Sequence, residues 1–334
     1  MDGRHPRFFI VGPTASGKGR LALEVARLTA GEVLSVDSMK VYRGLDIGTA
    51  KPALSRVEGA SLAARGGVPF HLIDIREPHE FMSAADFARE AERVEGDILA
   101  RGRRPIFAGG TALYVRALAE GIFEGPAADP DLRARLEAEA RERGPESLHA
   151  RLAVVDPRTA ARLHPNDVRR VVRALEVHEK TGRPIADLQR QWADAAFAGV
   201  GAPVPPRLMV GLRWPPDLLN ARIDERVDRM LAAGLVDEAR RLLARPEGIG
   251  REAAQALGYR EVFALLRGEL PDVETTISLV KRNTRRFARR QLTFFRRFPD
   301  IRWLEVDGTT DPERLAADVV RERLTSRPAP PYKQ

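Results

Sequence analysis

The sequence Phe8-Phe9-Ile10-Val11-Gly12-Pro13-Thr14-Ala15-Ser16-Gly17-Lys18 decides the fold of this chain. Its first four residues are wholly apolar, which predicts a short buried strand of a parallel sheet. The next seven have the G-x-x-x-x-G-K spacing of a phosphate-binding loop, and a helix-forming stretch follows. Backbone amides in such a loop turn towards phosphate oxygens at the helix N-terminus. A glycine-rich turn that only caps the helix is the other interpretation, and the preceding strand weakens it.

Further short apolar runs alternate with helical patterns along the first part of the chain and again near residue 210. The predicted strands are Val33–Val36, His71–Ile75, Pro105–Ala108 and Leu208–Leu212, and the clearest predicted helices are Ala84–Arg101 and Ala112–Leu118. This alternation predicts an α/β fold, with a parallel sheet flanked by helices.

The pattern changes near residue 123. A cluster of breakers, Gly125, Pro126 and Pro130, precedes a stretch from Asp131 to Thr181 that has only helical periodicity. We therefore expect an all-helical insertion domain. The predicted organisation is a first part of the α/β core at 1–122, the insert at 123–205, completion of the core with a basic helix at 206–325, and a disordered tail at 326–334.

Composition excludes several classes of protein. The 334 residues include no cysteine, so disulfides, thiolate zinc sites, iron–sulfur clusters and a cysteine nucleophile are impossible. No apolar run approaches the ~18 residues of a membrane-spanning helix, and no signal peptide is evident. We expect a cytoplasmic monomer. A formal net charge of +8 suits a polyanionic partner without identifying it.

Three polar segments follow predicted strands, at the sheet edge where α/β proteins bind ligands. Asp37 would lie near the phosphate loop as a base or a metal partner, although a turn aspartate is an equally good interpretation. Asp74 is a candidate for the acidic residue that holds Mg²⁺ beside a phosphate loop, and Gly109–Thr111 would form another loop there. Gly19 stands where a hydroxyl normally contacts Mg²⁺, which weakens the signal for a metal.

The segment Lys281–Arg297 is the densest run of charge in the chain. It carries eight basic residues and no acid, so no acid four residues away relieves the repulsion within the helix. An external polyanion would relieve it, and so would acids elsewhere in the fold. A second cluster, Arg169-Arg170 with Arg173, lies in the predicted insert. Two basic patches favour nucleic acid as the partner.

Taken together and in this order, the segments resemble the tRNA dimethylallyltransferases. The resemblance extends from about residue 8 to 305, and Asp46–Pro52 is its most specific part. Besides the phosphate loop, it is carried by Ser35–Ser38, Tyr42–Pro52, His71–Asp74, Ser83–Phe87, Gly109–Tyr114, His164–Asp167, Ala256–Glu261 and Arg289–Thr293. It implies a P-loop NTPase-like core and an insert that holds the anticodon stem-loop of tRNA. The implied reaction transfers a dimethylallyl group from dimethylallyl diphosphate to the exocyclic N6 amine of the adenosine 3′ of the anticodon, in tRNAs reading codons that begin with U.

The resemblance also implies roles for individual residues. Asp37 is the implied base, and Thr14 and Arg226 complete the catalytic set around the departing diphosphate. The implied diphosphate-binding residues are Gly12, Pro13, Thr14, Ala15, Ser16, Gly17, Lys18 and Gly19, with Mg²⁺ as cofactor. Ser16 and Asp37 could hold the metal through water. The implied tRNA-binding residues are Asp37, Ser38, Met39, Lys40, Thr111, Arg133, Arg169, Arg170, Arg173, Gln255, Gly258, Tyr259, Arg260, Arg285 and Arg289.

Three other functions are compatible with parts of the sequence. A small-molecule kinase would require ATP and a metal-binding hydroxyl after Lys18, and Gly19 does not provide one. A transferase acting on free adenine nucleotides would have no use for two basic patches. An RNA-binding protein without turnover would leave Asp37, beside the phosphate loop, without a role.

Overall fold

The computed structural model describes residues 6–52, 55–56, 63–121, 125–189 and 206–324. The chain divides into two compact units, one formed by Met1–Glu120 with Pro205–Gln334 and the other by Gly121–Val204. The bounds of the second unit lie within two residues of those of the insert predicted at 123–205. The tail predicted at 326–334 lies outside the described residues.

An eight-stranded sheet forms the centre of the first unit in its described ranges. Its strands are β1 (Arg7–Val11), β2 (Gly31–Val36), β3 (Ser55–Arg56), β4 (Ala63–Arg65), β5 (Val68–His71), β6 (Arg104–Gly109), β7 (Arg207–Arg213) and β8 (Ile301–Glu305). The strand order is β3-β4-β5-β2-β6-β1-β7-β8. Pairing is parallel from β5 to β8, and β3 and β4 extend this sheet as antiparallel strands. The predicted α/β class with a parallel sheet is confirmed.

The central strand positions the candidate site. β1 lies between β6 and β7, and its four apolar residues Phe8–Val11 are buried as predicted; Arg7, which precedes them in the strand, is buried too. Because β1, β2 and β6 are parallel, their carboxyl ends meet at one edge of the sheet. The loops that leave these ends begin with Gly12, Asp37 and Gly110.

Twelve α-helices are assigned over the described residues. The first unit contains α1 (Lys18–Thr29), α2 (Ala84–Ala100) and α3 (Ala112–Glu120), and the second contains α4 (Pro130–Arg143), α5 (Pro145–Val155), α6 (Pro157–Ala160) and α7 (Val168–Thr181). The first unit continues with α8 (Pro216–Ala232), α9 (Leu235–Leu243), α10 (Tyr259–Leu266), α11 (Val273–Phe295) and α12 (Pro312–Val319). No described helix has the length and apolar content needed to cross a membrane.

Each unit has its own apolar core. In the first unit, side chains of β1 such as Phe8 and Ile10 pack with Leu21 and Val25 of α1 on one face of the sheet. The core of the second unit consists only of helical and loop residues, including Leu136, Leu148, Leu152, Val171 and Leu175, all of which are fully buried. Helices were predicted between Asp131 and Thr181, and the described part of the second unit contains no strand.

The structure corrects one strand prediction and adds two features to the sheet. The strand predicted at His71–Ile75 is wrong beyond its first residue, because Leu72 and Asp74 have φ angles of 62° and 57°, which a strand cannot accommodate. Two features were not predicted: the edge strand β8 and the β3–β4 extension. In β8 the charged residues Arg302 and Glu305 interrupt the apolar run that would indicate a strand.

Candidate active site

The loop between β1 and α1 has the backbone of a phosphate cradle. Gly17 precedes α1 with a φ of 89°, a left-handed conformation that favours glycine. Two carbonyl groups of the loop are held from outside: Trp214 Nε1 donates to the Ser16 oxygen over 2.9 Å, and Arg222 Nε donates to the Ala15 oxygen over 3.1 Å. The first amides of α1 have no partner within the helix, so they are available to an anion.

Lys18 brings a titratable cation to this cradle. Its side chain is half-buried, and its Nζ donates to the Pro13 carbonyl over 3.0 Å. Burial, together with the nearby charges of Lys40 and Arg226, lowers the pKa of Lys18 to about 7, against the opposing effect of Asp37. The site is therefore rich in positive charge and gains stability from an added anion.

Asp37 follows directly on the end of β2, as predicted. Its Oδ1 accepts hydrogen bonds from the backbone amides of Met39, over 2.9 Å, and Lys40, over 3.3 Å. The turn interpretation is thus correct for this oxygen, and no hydrogen bond within the described part of the chain uses Oδ2. One carboxylate oxygen is anchored while the other can act on a bound molecule.

The loop after β6 supports the segment that contains Asp37. The backbone amide of Ser38 donates to Thr111 Oγ1 over 2.9 Å, and the Thr111 hydroxyl donates to Ser38 Oγ over 3.3 Å. These bonds hold two of the predicted loops side by side at the carboxyl edge of the sheet.

Arg226 of α8 lines the same site. Its Nη2 donates to the Thr49 carbonyl over 3.3 Å, and burial lowers its pKa, opposed by the charge of Asp37. The effects of Asp37 on the pKa values of Lys18 and Arg226 place the three side chains within electrostatic reach of one another. The structure therefore brings together the predicted base, the loop lysine and the predicted arginine.

A cavity of about 1050 Å³ encloses this constellation. One part of its wall is the phosphate loop with Asp37 and Arg226. Another part is apolar and comes from α8 and α11, with Ile223, Val227, Met230, Val280 and Phe287. A molecule with an anionic head and a short hydrocarbon chain would find a partner for each end.

Asp74 does not have the position expected for a metal-holding acid at a strand end. It lies beyond β5 in the left-handed region of the backbone, and it accepts a hydrogen bond from Lys51 Nζ over 2.5 Å. Lys51 also donates to Asp46 over 2.6 Å, so this acid is part of an ion-pair cluster in the cavity wall.

Two cations of the basic helix have acidic partners from another helix. Arg285 contacts Asp224 over 2.5 Å, and Lys281 contacts Asp228 over 2.7 Å. At these two positions acids elsewhere in the fold balance the helix, which was one of the two interpretations of the sequence, and Arg285 is a weaker candidate for binding tRNA. Six other arginines of the run are exposed, namely Arg282, Arg286, Arg289, Arg290, Arg296 and Arg297.

The arginines predicted to bind tRNA in the second unit also form ion pairs. Glu176 is fully buried and binds Arg133, over 2.8 Å, and Arg173, over 2.5 Å. Arg170 contacts Asp167 over 2.6 Å, whereas Arg169 has an exposed side chain on the same helix. Arg133 and Arg173 therefore stabilise the helical unit, which limits their freedom to reach a phosphate.

Tyr259 is a predicted tRNA contact that the structure reassigns. Its side chain is completely buried, its hydroxyl donates to Glu238, and it accepts the Gly48 amide over 3.0 Å. Burial and the bond to Glu238 raise the pKa of Tyr259. Its neighbours remain accessible: Gln255 is exposed in the cavity wall, and Arg260 is exposed while it contacts Glu261 over 2.6 Å.

Replacing Tyr259 with phenylalanine tests this reassignment. We expect the free energy of unfolding to fall by about 1–3 kcal/mol, because the Gly48 amide loses its acceptor and Glu238 loses a donor inside the protein. The dissociation constant for tRNA should stay the same. Urea unfolding and a tRNA-binding titration measure the two quantities, and a protein of wild-type stability with weakened tRNA binding would restore Tyr259 as a contact residue.

Sequence reasoning missed two residues that shape the site. Glu238 of α9 is buried and accepts the backbone amides of Asp46, over 3.3 Å, and Ile47, over 3.0 Å, which fixes a wall of the cavity. Gln291 of α11 accepts the amide of Thr14 over 2.8 Å. The available signal for Gln291 was its place in Arg289–Thr293, one of the segments that carry the family resemblance. Glu238 gave no signal, because in the sequence it is an ordinary acidic residue of a helix.

Comparison with known proteins shows the family to which the chain is similar. A family model described as IPP transferase matches residues 40–298, and one described as isopentenyl transferase matches residues 7–63. The chain is 49% identical over 318 residues to a tRNA dimethylallyltransferase of Symbiobacterium thermophilum, covering 95% of this chain and 94% of that one.

Solved structures extend the comparison. A tRNA isopentenylpyrophosphate transferase of Bacillus halodurans is 39% identical, with a TM-score of 0.64 over 95% of this chain and 96% of that chain. A eukaryotic dimethylallyltransferase acting on tRNA is 26% identical, with a TM-score of 0.77 over 97% and 81% of the two chains. In sequence over nearly its whole length and in the fold of its phosphate-loop core, this chain belongs to the tRNA dimethylallyltransferase family.

Proposed function

We propose that the chain transfers a dimethylallyl group from dimethylallyl diphosphate to the N6 amine of the adenosine 3′ of the anticodon, in tRNAs reading codons that begin with U. Membership of the family supports tRNA prenylation as such. The observation that carries the chemistry is the convergence of Asp37, Lys18 and Arg226 in one cavity with an apolar wall. The target base must leave its stack to enter such a cavity. We expect the enzyme to act as a monomer in the cytoplasm.

The proposed step forms a bond between N6 and C1 of the dimethylallyl group while the bond between C1 and the diphosphate oxygen breaks. The exocyclic amine is a poor nucleophile, because its lone pair is delocalised into the ring. Asp37 therefore accepts the proton that N6 loses. The electron pair of the broken bond leaves with the diphosphate, whose charge the loop amides, Lys18 and Arg226 stabilise. The apolar wall binds the hydrocarbon chain and excludes water that would compete with N6.

Mg²⁺ is the proposed cofactor. No cluster of three or more potential His, Cys, Asp or Glu metal ligands occurs over the described ranges, so side chains alone do not form a complete site. The Ser16 hydroxyl is buried without a hydrogen-bond partner among the described residues, and Asp37 has a free carboxylate oxygen nearby in the same cavity wall. Both suit an ion that keeps several waters and binds the diphosphate. When bound, it would neutralise part of the charge on the leaving group.

The residue at position 19 tests how the metal is held. A β-carbon at Gly19 would meet nothing within 4 Å, so a side chain can begin there, and threonine would supply a hydroxyl where phosphate loops usually have one. We expect Gly19→Thr to lower the Mg²⁺ concentration for half-maximal transfer several-fold. Gly19→Ala is the matched control, since it also strengthens the first helical turn but adds no hydroxyl. Coincident Mg²⁺ curves for the two variants would show that the hydroxyl is irrelevant.

The exposed arginines of α11 are the proposed surface for the tRNA backbone. Binding should weaken steeply with salt, because each phosphate contact releases counterions. Replacing Arg286 and Arg289 with glutamate should raise the dissociation constant for tRNA. The slope of the logarithm of tRNA affinity against the logarithm of salt concentration should become shallower by about 2, and the affinity for dimethylallyl diphosphate should not change. Arg314→Glu, an exposed arginine of α12, is the control for charge alone. An unchanged slope in the double variant would exclude this face from tRNA binding.

One incubation separates the proposed function from its alternatives. Protein is mixed with radiolabelled dimethylallyl diphosphate and either tRNA, a tRNA lacking the target adenosine, or AMP. We expect label only in the intact tRNA, with release of diphosphate. Label in AMP would support a transferase for free nucleotides. Absence of transfer to every acceptor, together with phosphoryl transfer in a parallel incubation with ATP, would support a kinase.

A further inference from the structure

Gln291 is a buried amide in the middle of the basic helix. It is only 5% exposed, although its neighbours Arg289 and Arg290 lie on the surface. Both ends of the amide are used: Oε1 accepts the backbone amide of Thr14, and Nε2 donates to the carbonyl of Gly110, each over 2.8 Å. One partner is a donor and the other an acceptor, so a side chain of this length must provide both functions at once.

The two partners belong to different halves of the site. Thr14 lies in the phosphate loop, and Gly110 lies in the loop after β6. A β-carbon at position 110 would come within 2.5 Å of Gln291 Nε2, so the close approach requires glycine. The next residue, Thr111, binds Ser38, which adjoins Asp37. Gln291 therefore links the phosphate loop, which would bind the diphosphate of the substrate, to the segment that carries the proposed base Asp37.

We propose that Gln291 is a positioning residue that holds the diphosphate cradle and the Asp37 segment at a fixed separation. The inference rests on the proposed function, in which a prenyl carbon and an amine must meet between these two segments. Errors of about 1 Å in such an arrangement can cost on the order of 10²-fold in rate, whereas each substrate can still bind its own half. The signature of Gln291 is therefore an effect on kcat that exceeds the effects on binding.

Gln291→Glu offers a test that depends on pH. The protonated carboxyl group has an acceptor oxygen for Thr14 and a hydroxyl for Gly110, so it reproduces both hydrogen bonds. The ionised form has no donor, and it repels the Gly110 carbonyl. Burial raises the pKa of a carboxyl group, whereas the charge of Lys18 in the same cavity wall lowers it, so the transition is sought between pH 5.5 and 8.5. We expect the ratio of variant to wild-type kcat to be near one at low pH and to fall about tenfold per pH unit above that pKa.

The measurements are single-turnover transfer rates from pH 5.5 to 8.5 and the dissociation constants of inorganic pyrophosphate and tRNA. Both constants should stay within about threefold of wild type while kcat falls by on the order of 10²-fold. Ser278→Glu is the matched control, since it adds a carboxylate to an exposed position of the same helix. The ratio of its kcat to the wild-type kcat should not change with pH. A ratio for Gln291→Glu that is independent of pH would overturn the proposal.

Gln291→Met covers the case in which the glutamate variant unfolds at high pH. Methionine keeps the length of the side chain but makes neither hydrogen bond, so kcat should fall at every pH with pyrophosphate affinity retained. Rates within threefold of wild type would also overturn the proposal. Wild-type protein that transfers no prenyl group to tRNA would instead reject the proposed function.

Discussion

Asp37→Asn is expected to lower kcat by about 10²–10⁴-fold, the usual loss when a general base is removed. Asparagine retains an Oδ1 atom that can accept the amides of Met39 and Lys40, so the turn should keep its shape. Its amide group cannot take the proton from N6 at neutral pH. The loss should therefore appear in the rate of the chemical step, with tRNA affinity within a few-fold of wild type.

Single-turnover transfer and a tRNA titration measure these two effects. Asp217→Asn, at an exposed position in the first turn of α8, is the matched control and should leave both unchanged. Transfer by Asp37→Asn within a few-fold of wild type would remove this residue from the role of base. Weak tRNA binding with a normal rate at saturation would make Asp37 a binding residue instead.

The centre of the fold could be predicted because its signals are local. A buried apolar strand, a loop of fixed spacing and a helix occupy only residues 8–29, and parallel pairing brings the ends of β1, β2 and β6 together. Because the three strands end at one edge, the sequence alone predicts that Asp37 and Thr111 lie near the phosphate loop. The expectation for Asp74 was wrong because β5 ends at His71, four residues before the predicted strand end at Ile75, so Asp74 does not stand at a strand end.

Ion pairs between distant segments could not be predicted in the same way. The rule for neighbouring charges on a helix considers residues three or four apart. Asp224 lies 61 positions from Arg285, and it relieves a repulsion that the helix alone cannot relieve. Glu176 does the same for Arg133, 43 positions away. The number of cations that remain for tRNA is therefore smaller than the sequence suggests.

Aromatic residues in a specific motif have a similar ambiguity. Tyr259 could stack on a base or fill a core, and the sequence alone does not distinguish the two uses. The structure decides for the core, because its hydroxyl completes a network with Glu238 and Gly48. That network supports the wall from which Thr49 binds Arg226, so the residue affects the site through the loop rather than through tRNA.

Lys18→Met is expected to lower kcat/KM for dimethylallyl diphosphate by about 10²–10³-fold, because one preorganised hydrogen-bond donor to the leaving diphosphate is lost.

The wild-type lysine also makes the binding of dimethylallyl diphosphate, the prenyl donor, depend on pH. With a pKa of about 7 before the donor binds, Lys18 is mostly neutral at pH 8, and the incoming negative charge favours its protonated form. Donor binding at pH 8 should therefore take up about one proton, and affinity should fall towards tenfold per unit as the pH rises above that pKa. Calorimetry in buffers of different ionisation enthalpy measures the uptake, and the same titration with Lys18→Met corrects for protons bound by the donor itself. Equal proton uptake by the two proteins would mean that Lys18 is already charged before the donor arrives.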